Sequence, residues 1–118
     1  MANRNVVNPS RGEIWAVNLD PTVGHEQAGL RPALVVSSDE MNRDVLGLVV
    51  VLPITGTDRS FPSHVPIAPP EGGLAKPSVI MVEQLRAVSK ARLGRRYGMA
   101  SPDTREQVDE LLRMLLDL

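Results

Sequence analysis

At 118 residues, 42% hydrophobic and 23% charged, the chain suits one domain, 1-118, with a modest core. The lack of cysteine excludes disulfides and thiolate metal sites, and two histidines, His25 and His64, are too few for a dedicated zinc site, so neither a metal nor another cofactor is expected. A net charge of -1 announces no nucleic-acid binder, no apolar run nears the roughly 20 residues of a membrane helix, and the polar start lacks a signal peptide's apolar core, so the expected setting is the cytoplasm, off the membrane.

Residues 1-10 read as a flexible leader. Gly12 opens Glu13 to Leu19, a strand with apolar residues on both faces, and its Trp15 is expected in the core or at its edge. Asp20 to Pro32 is too long for a tight hairpin and too poor in periodic apolar residues for a helix or strand. Pro21, Gly24, Gly29 and Pro32 punctuate it as an ordered loop. It also brings His25, Glu26, Gln27 and Arg31 together, so a proton-transfer group, a carboxylate, an amide and a guanidinium share one loop. That set suits chemistry on an anion, although a polar surface loop is the plainer reading.

Ala33 to Ser37 follows as a short strand buried on both sides, and Ser38 to Asn42 has the capping and acidic residues of a short helix. Gly47 to Ile54 is the strongest strand, and Pro53, with no N–H to give a ladder, marks an edge, a bulge or the strand's end. Thr55 to Asp58 is a polar turn, and the proline- and glycine-rich stretch 61-73 holds one edge strand, His64 to Ile67. Ser78 to Gln84 is another buried strand, Leu85 to Lys90 continues it past a bend, and Arg92 to Met99 is a last basic strand or turn.

The terminal segment 101-118 is a helix: Ser101 is a good N-cap, Pro102 suits the first position, and Asp103 and Glu106 favour the positive end of the dipole. Val108, Leu111, Leu112 and Leu115 follow helical spacing, while Met114, Leu116 and Leu118 widen the apolar stripe beyond the need of one small core. Five or six short strands, one small helix and a terminal helix suggest a mainly β fold with a C-terminal α-helix, a compact, strongly bent sheet or an SH3-like barrel. Charge is unevenly spread: residues 1-100 carry eleven Lys/Arg against nine Asp/Glu, and residues 101-118 carry two against five. Lys90, Arg92, Arg95 and Arg96 form the densest basic patch, a track for a phosphate backbone or simply a solvated strand face.

Four segments together carry a resemblance: Arg11-Gly-Glu-Ile-Trp15, Leu19 to Val36 with its Gly-His-Glu-Gln-x-Gly-x-Arg-Pro run, Pro53-Ile-Thr55, and Ser78 to Arg86. They resemble the MazF/PemK/Kid family of toxin endoribonucleases from bacterial toxin-antitoxin systems, over about Arg11 to Leu118. The resemblance implies the SH3-like barrel of the MazF/Kid/CcdB type, assembled as a homodimer. It implies sequence-specific, metal-independent cleavage of single-stranded messenger RNA, with a 2',3'-cyclic phosphate and a 5'-hydroxyl as product ends. It implies neutralisation by a cognate MazE-like antitoxin, with any operator DNA binding made only through the antitoxin complex. By the same analogy Arg31 and Thr55 face the phosphate and are catalytic with Glu26 and His25. Gln27, Glu83, Gln84 and Arg86 are then the RNA-binding residues.

The residue chemistry agrees with this. Attack of a ribose 2'-hydroxyl on its own phosphate needs a proton acceptor, a proton donor and a cradle for added negative charge. A guanidinium holds two phosphate oxygens at once, and a threonine hydroxyl adds a third bond. His25 or Glu26 can serve in proton transfer, and the sequence leaves open which. The chain departs from some plasmid-borne relatives that carry an Arg-x-Asp triplet on the late strand, because Met81-Val82-Glu83 stands there. A thioether cannot stabilise a phosphorane. Two other readings compete. A gyrase poison of the CcdB kind depends on an aromatic residue at the extreme C-terminus, where this chain ends Leu-Leu-Asp-Leu. A peptide-binding SH3-like module needs an aromatic groove, and one Phe, one Tyr and one Trp are too few.

Overall fold

A computed structural model describes residues 7-26 and 28-118. Its strands are β1 (Glu13–Asn18), β2 (Leu30–Val35), β3 (Leu48–Thr55), β4 (His64–Ile67), β5 (Ser78–Met81), β6 (Arg86–Ser89) and β7 (Leu93–Met99), with helices α1 (Asp39–Asn42) and α2 (Pro102–Leu116). The strands pair antiparallel in the order β4-β5-β3-β2-β1-β7, and β6 adds to β3. The result is a strongly bent, barrel-like sheet with a single long helix at its end, the expected fold class with seven strands among the described residues rather than five or six.

β3 is the axis of the arrangement. Leu48 to Val51 pair with β6, whereas Ile54 and Thr55 pair with β5, and β2 lies along the opposite edge. Leu52 and Pro53 fall where β3 changes partner, so the proline interrupts no ladder on that side. The expectation of an edge, bulge or strand end is thus met by a switch point inside the strand. Thr55, the strand's last residue, is delivered beside β5.

Apolar residues on both faces of these strands feed two cores. Ile14, Leu34, Leu52, Ile54, Val65, Ile67, Ile80 and Val82 form one, and Val17, Leu19, Ala33, Val35, Val49, Val51 and Val88 form the other, with Trp15 packed against its edge. α2 closes the first core with buried Val108 and partly buried Leu111 and Leu112. Ser101 caps it as expected, its Oγ accepting from Thr104 N–H at 3.2 Å, and Ser38 caps α1 the same way. Leu115 does not join the core as helical spacing suggested: it stays 47% exposed.

Two boundaries differ in ways that bear on the site. β2 begins at Leu30 rather than Ala33, because Pro32 pairs opposite Ala16 and Arg31 opposite Val17 within the β1 ladder. Arg31 therefore stands on a strand and not on a loop. The buried strand from Ser78 stops at Met81, and Val82–Gln84 turn as a short 3-10 helix, so Glu83 and Gln84 leave the sheet. No helix among the described residues is long and apolar enough to cross a membrane.

Candidate active site

The β1–β2 loop is ordered by its own polar groups. Leu19 N–H donates to Gly29 O at 2.9 Å and Gly29 N–H to Asp20 Oδ1 at 3.1 Å, which closes the loop's neck. Gly24 and Gly29 take left-handed φ angles of 61° and 82°, where a side chain is strained. Their punctuation role is therefore met. Glu26 folds back so that its Oε1 accepts from Val23 N–H at 2.7 Å.

Beyond this loop lies a cleft of about 660 Å³ lined by His25, Arg31, Thr55, Thr57, Arg59, Phe61, His64, Met81, Glu83 and Gln84. Its walls come from the loop, the start of β2, the end of β3, the β3–β4 connection, and the turn after β5. Arg31 Nε donates to Ala28 O at 2.8 Å, which sets the plane of the guanidinium. Thr55 is buried at 8% exposure, and its Oγ1 accepts from Thr57 N–H at 3.2 Å. One lone pair is thereby used, and the hydroxyl proton remains to donate to an anion. Gln84 Nε2 donates to the His25 carbonyl at 3.3 Å and ties the turn to the loop.

Of the residues the sequence singles out, the cleft brings together His25, Arg31, Thr55, Glu83 and Gln84, whereas Glu26 and Arg86 do not line it. The Glu26 carboxylate is engaged within its own loop, and Arg86 Nη1 donates to Leu19 O at 3.1 Å beneath the loop's neck. Gln27 lies outside the described residues. The basic strand is also more occupied than its sequence suggests. Lys90 Nζ donates to Asn42 O at 2.8 Å, Arg92 to the carbonyls of Asn18 and Asp20, and Arg96 to Glu13. Burial pushes the Glu13 carboxyl up. Bonds from Ser10 N–H, Arg96 and Trp15, with the charge of Arg96, outweigh that and hold it below the usual carboxylate range.

Sequence reasoning missed Arg59, Phe61 and His64 as cleft residues. Arg59 supplies a second guanidinium in a cleft where Met81 supplies none. The Thr55-Gly-Thr-Asp58 turn ahead of it gave the only local signal, since a polar turn at a strand end presents the next side chains to the same surface. Among the described residues no cluster of three or more metal-ligating side chains occurs.

Comparison with known proteins places this geometry in context. The family pattern of PemK-like, MazF-like toxins of type II toxin-antitoxin systems matches residues 10-116. The chain is 37% identical over 113 residues to endoribonuclease MazF9 of Mycobacterium tuberculosis, covering 92% of this chain and 96% of that one. Its fold is similar to the crystal structure of MazF from Deinococcus radiodurans, with a TM-score of 0.85 at 29% identity, over 95% of this chain and 99% of the other. It is also similar to an endoribonuclease in complex with its cognate antitoxin from a mycobacterial species, with a TM-score of 0.72 at 25% identity, over 94% and 95% of the two chains.

Proposed function

The chain belongs to the PemK-like, MazF-like toxins of type II toxin-antitoxin systems, and from that premise we infer that it is an RNA endonuclease, an mRNA interferase neutralised by a cognate antitoxin. The observation that carries the reading is the convergence of Arg31, Thr55 and His25, from three different elements, on one cleft.

In this reading the 2'-hydroxyl of the scissile nucleotide attacks its own phosphorus. The 2'-hydroxyl gives its proton to His25 as the 2'-oxygen–phosphorus bond forms, the bond to the 5'-oxygen of the next nucleotide breaks, and that oxygen takes the proton back. The products end in a 2',3'-cyclic phosphate and begin with a 5'-hydroxyl. Arg31 and the Thr55 hydroxyl hold the phosphate oxygens as charge builds. Proton transfer goes to His25, since Glu26 is turned into its own loop. Glu83 and Gln84 contact the RNA from the turn after β5. Because the attacking group belongs to the substrate, the step needs no metal.

The cytoplasm is then the place of action, and operator DNA is met only through the antitoxin complex. Met114, Leu115, Leu116 and Leu118 remain 47% exposed or more on α2's last turn and beyond it, and such a patch suits a homodimer contact. Light scattering at micromolar concentration tests that assembly, and a monomer contradicts it. The function itself is tested by incubating the protein with a single-stranded RNA and with the same strand in all-deoxy form. Cleavage of the RNA alone supports the nuclease. Binding of both strands without cleavage supports a non-catalytic toxin of the same fold.

A further inference from the structure

Phe61 is the chain's single phenylalanine, and it stands 50% exposed on the wall of the cleft. Isolated exposed apolar residues are common and need no explanation. What sets Phe61 apart is the group of side chains behind it. Its ring centroid lies 5.1 Å from that of His64, with the planes tilted by 49°. The His64 imidazole is only 4% exposed, and its Nε2 faces Glu83 Oε2 at 3.1 Å. Ser63 Oγ donates to the other oxygen, Glu83 Oε1, at 2.9 Å.

Both oxygens of Glu83 are thereby fixed from the start of β4, while a third of the side chain still faces solvent at 34% exposure. Each carboxylate oxygen accepts more than one hydrogen bond, so a held Glu83 keeps acceptor capacity toward the cleft. His64 is held just as firmly. Facing a carboxylate, Nε2 carries the proton, and the buried Nδ1 has no hydrogen-bond partner among the described residues. The ring is thus fixed by one polar contact and by Phe61.

A carboxylate in a cleft that binds a polyanion repels the backbone, so its place there fits a contact to a base edge rather than to phosphate. A flat apolar ring beside a fixed acceptor is the pair of features that unpaired nucleobases use: stacking from the ring and edge recognition from the acceptor. We propose that Phe61 and Glu83 form a nucleobase subsite. One unpaired base beside the scissile phosphate stacks on Phe61 and donates its exocyclic amino group to Glu83. His64 and Ser63 act as positioning residues. The subsite selects adenine, cytosine or guanine over uracil, which lacks that amino group. It rests on the endoribonuclease reading and adds to it a base class at one position.

The test digests a randomised single-stranded RNA pool with wild type, Phe61→Ala, Phe61→Trp, Glu83→Ala and Ser63→Ala, and sequences the new 5'-hydroxyl ends. KM is measured on the preferred oligonucleotide and on its analogue lacking the amino group at the selected position. Wild type is expected to disfavour uracil at one flanking position, and Glu83→Ala to lose that preference there while keeping the others. Ser63→Ala, which removes one brace and leaves the carboxylate, is expected to weaken the same preference and guards against misfolding of the Glu83 variant. Phe61→Ala is expected to raise KM about tenfold, with Phe61→Trp restoring it. The amino-less analogue and Glu83→Ala are expected to be non-additive. Unchanged base preference in Glu83→Ala and Ser63→Ala, with unchanged KM in Phe61→Ala, overturns the subsite alone. Wild type that cuts no RNA overturns the nuclease reading beneath it.

Discussion

Gln84 Nε2 donates to the main-chain carbonyl of His25 at 3.3 Å, joining two points 59 residues apart in the chain. The bond fastens the loop that carries His25, the proposed proton-transfer group, to the turn that ends β5. Loops of this kind hold reacting groups only as well as their anchors do.

Removing that anchor is expected to slow the reaction with little effect on the fold. One hydrogen bond contributes about 0.5–1.5 kcal/mol, so Gln84→Ala should lower kcat from a few-fold to about tenfold. Gln84→Glu sets an acceptor against the His25 carbonyl and should lower it further. Single-turnover cleavage beside a thermal melt measures both, and equal kcat in all three proteins contradicts the anchoring role.

Arg31 carries the largest expected effect. Losing one preorganised donor to a developing anion costs about 10² to 10³ in rate, so Arg31→Ala should lose at least that much with folding kept. Arg31→Lys should recover little, since an ammonium keeps the charge but not the planar fork. Thr55→Ala should cost less, because a neutral hydroxyl gives a weaker bond than a charged donor. Near wild-type turnover by Arg31→Ala places the chemistry elsewhere.

Arg59 lines the same cleft from the β3–β4 connection and is expected to contact backbone phosphate. Arg59→Ala should weaken binding of all RNA sequences alike and reduce the slope of log K against log salt by about 0.7, the value for one phosphate contact on a single strand. Fluorescence anisotropy over a salt series reads that slope, and an unchanged slope excludes the contact.

The course of the strands was legible because alternating and continuous apolar runs leave few other options, and α2 because its cap, its proline and its spacing agree. Arg31 was legible as a candidate through the run that surrounds it, and it lines the cleft, although its position on β2 was not legible: Pro32 reads as a strand entry until Ala16 is seen opposite it. Arg59, Phe61 and His64 sit in a stretch of prolines, glycines and short polar turns that has no period. Only the β4–β5–β3 pairing brings them to residues 81-84. The engagement of Glu26 within its own loop was not legible for a related reason. A carboxylate three residues from a loop N–H can turn back onto it or face a substrate, and spacing alone does not separate the two.

The N-terminus of α2 should report on pH. Ser101 N–H donates to Glu71 Oε2 at 2.8 Å. Burial raises the Glu71 carboxyl, but bonds from the Thr104 hydroxyl and from the Ser101 N–H and hydroxyl outweigh it and hold Glu71 below its ordinary value. A carboxylate depressed in the folded state stabilises the protein fully above its unfolded value and loses that contribution as pH falls through the folded one. Glu13 is depressed too, so the two effects add. Denaturant midpoints should fall between about pH 5 and pH 3, and Glu71→Gln should flatten that fall while costing about 1 kcal/mol at neutral pH. Identical slopes in wild type and variant contradict the capping role of the charge.

The most direct test of the catalytic account replaces one oxygen. Two RNA oligonucleotides containing the cleavage motif differ only in the 2'-hydroxyl of the scissile nucleotide, which is hydrogen in one of them, and both are incubated with the protein in EDTA. The all-ribose strand should be cut to a 2',3'-cyclic phosphate and a 5'-hydroxyl, and the single-deoxy strand should stay intact while still binding. Cleavage of the single-deoxy strand at that bond would contradict attack by the substrate's own hydroxyl.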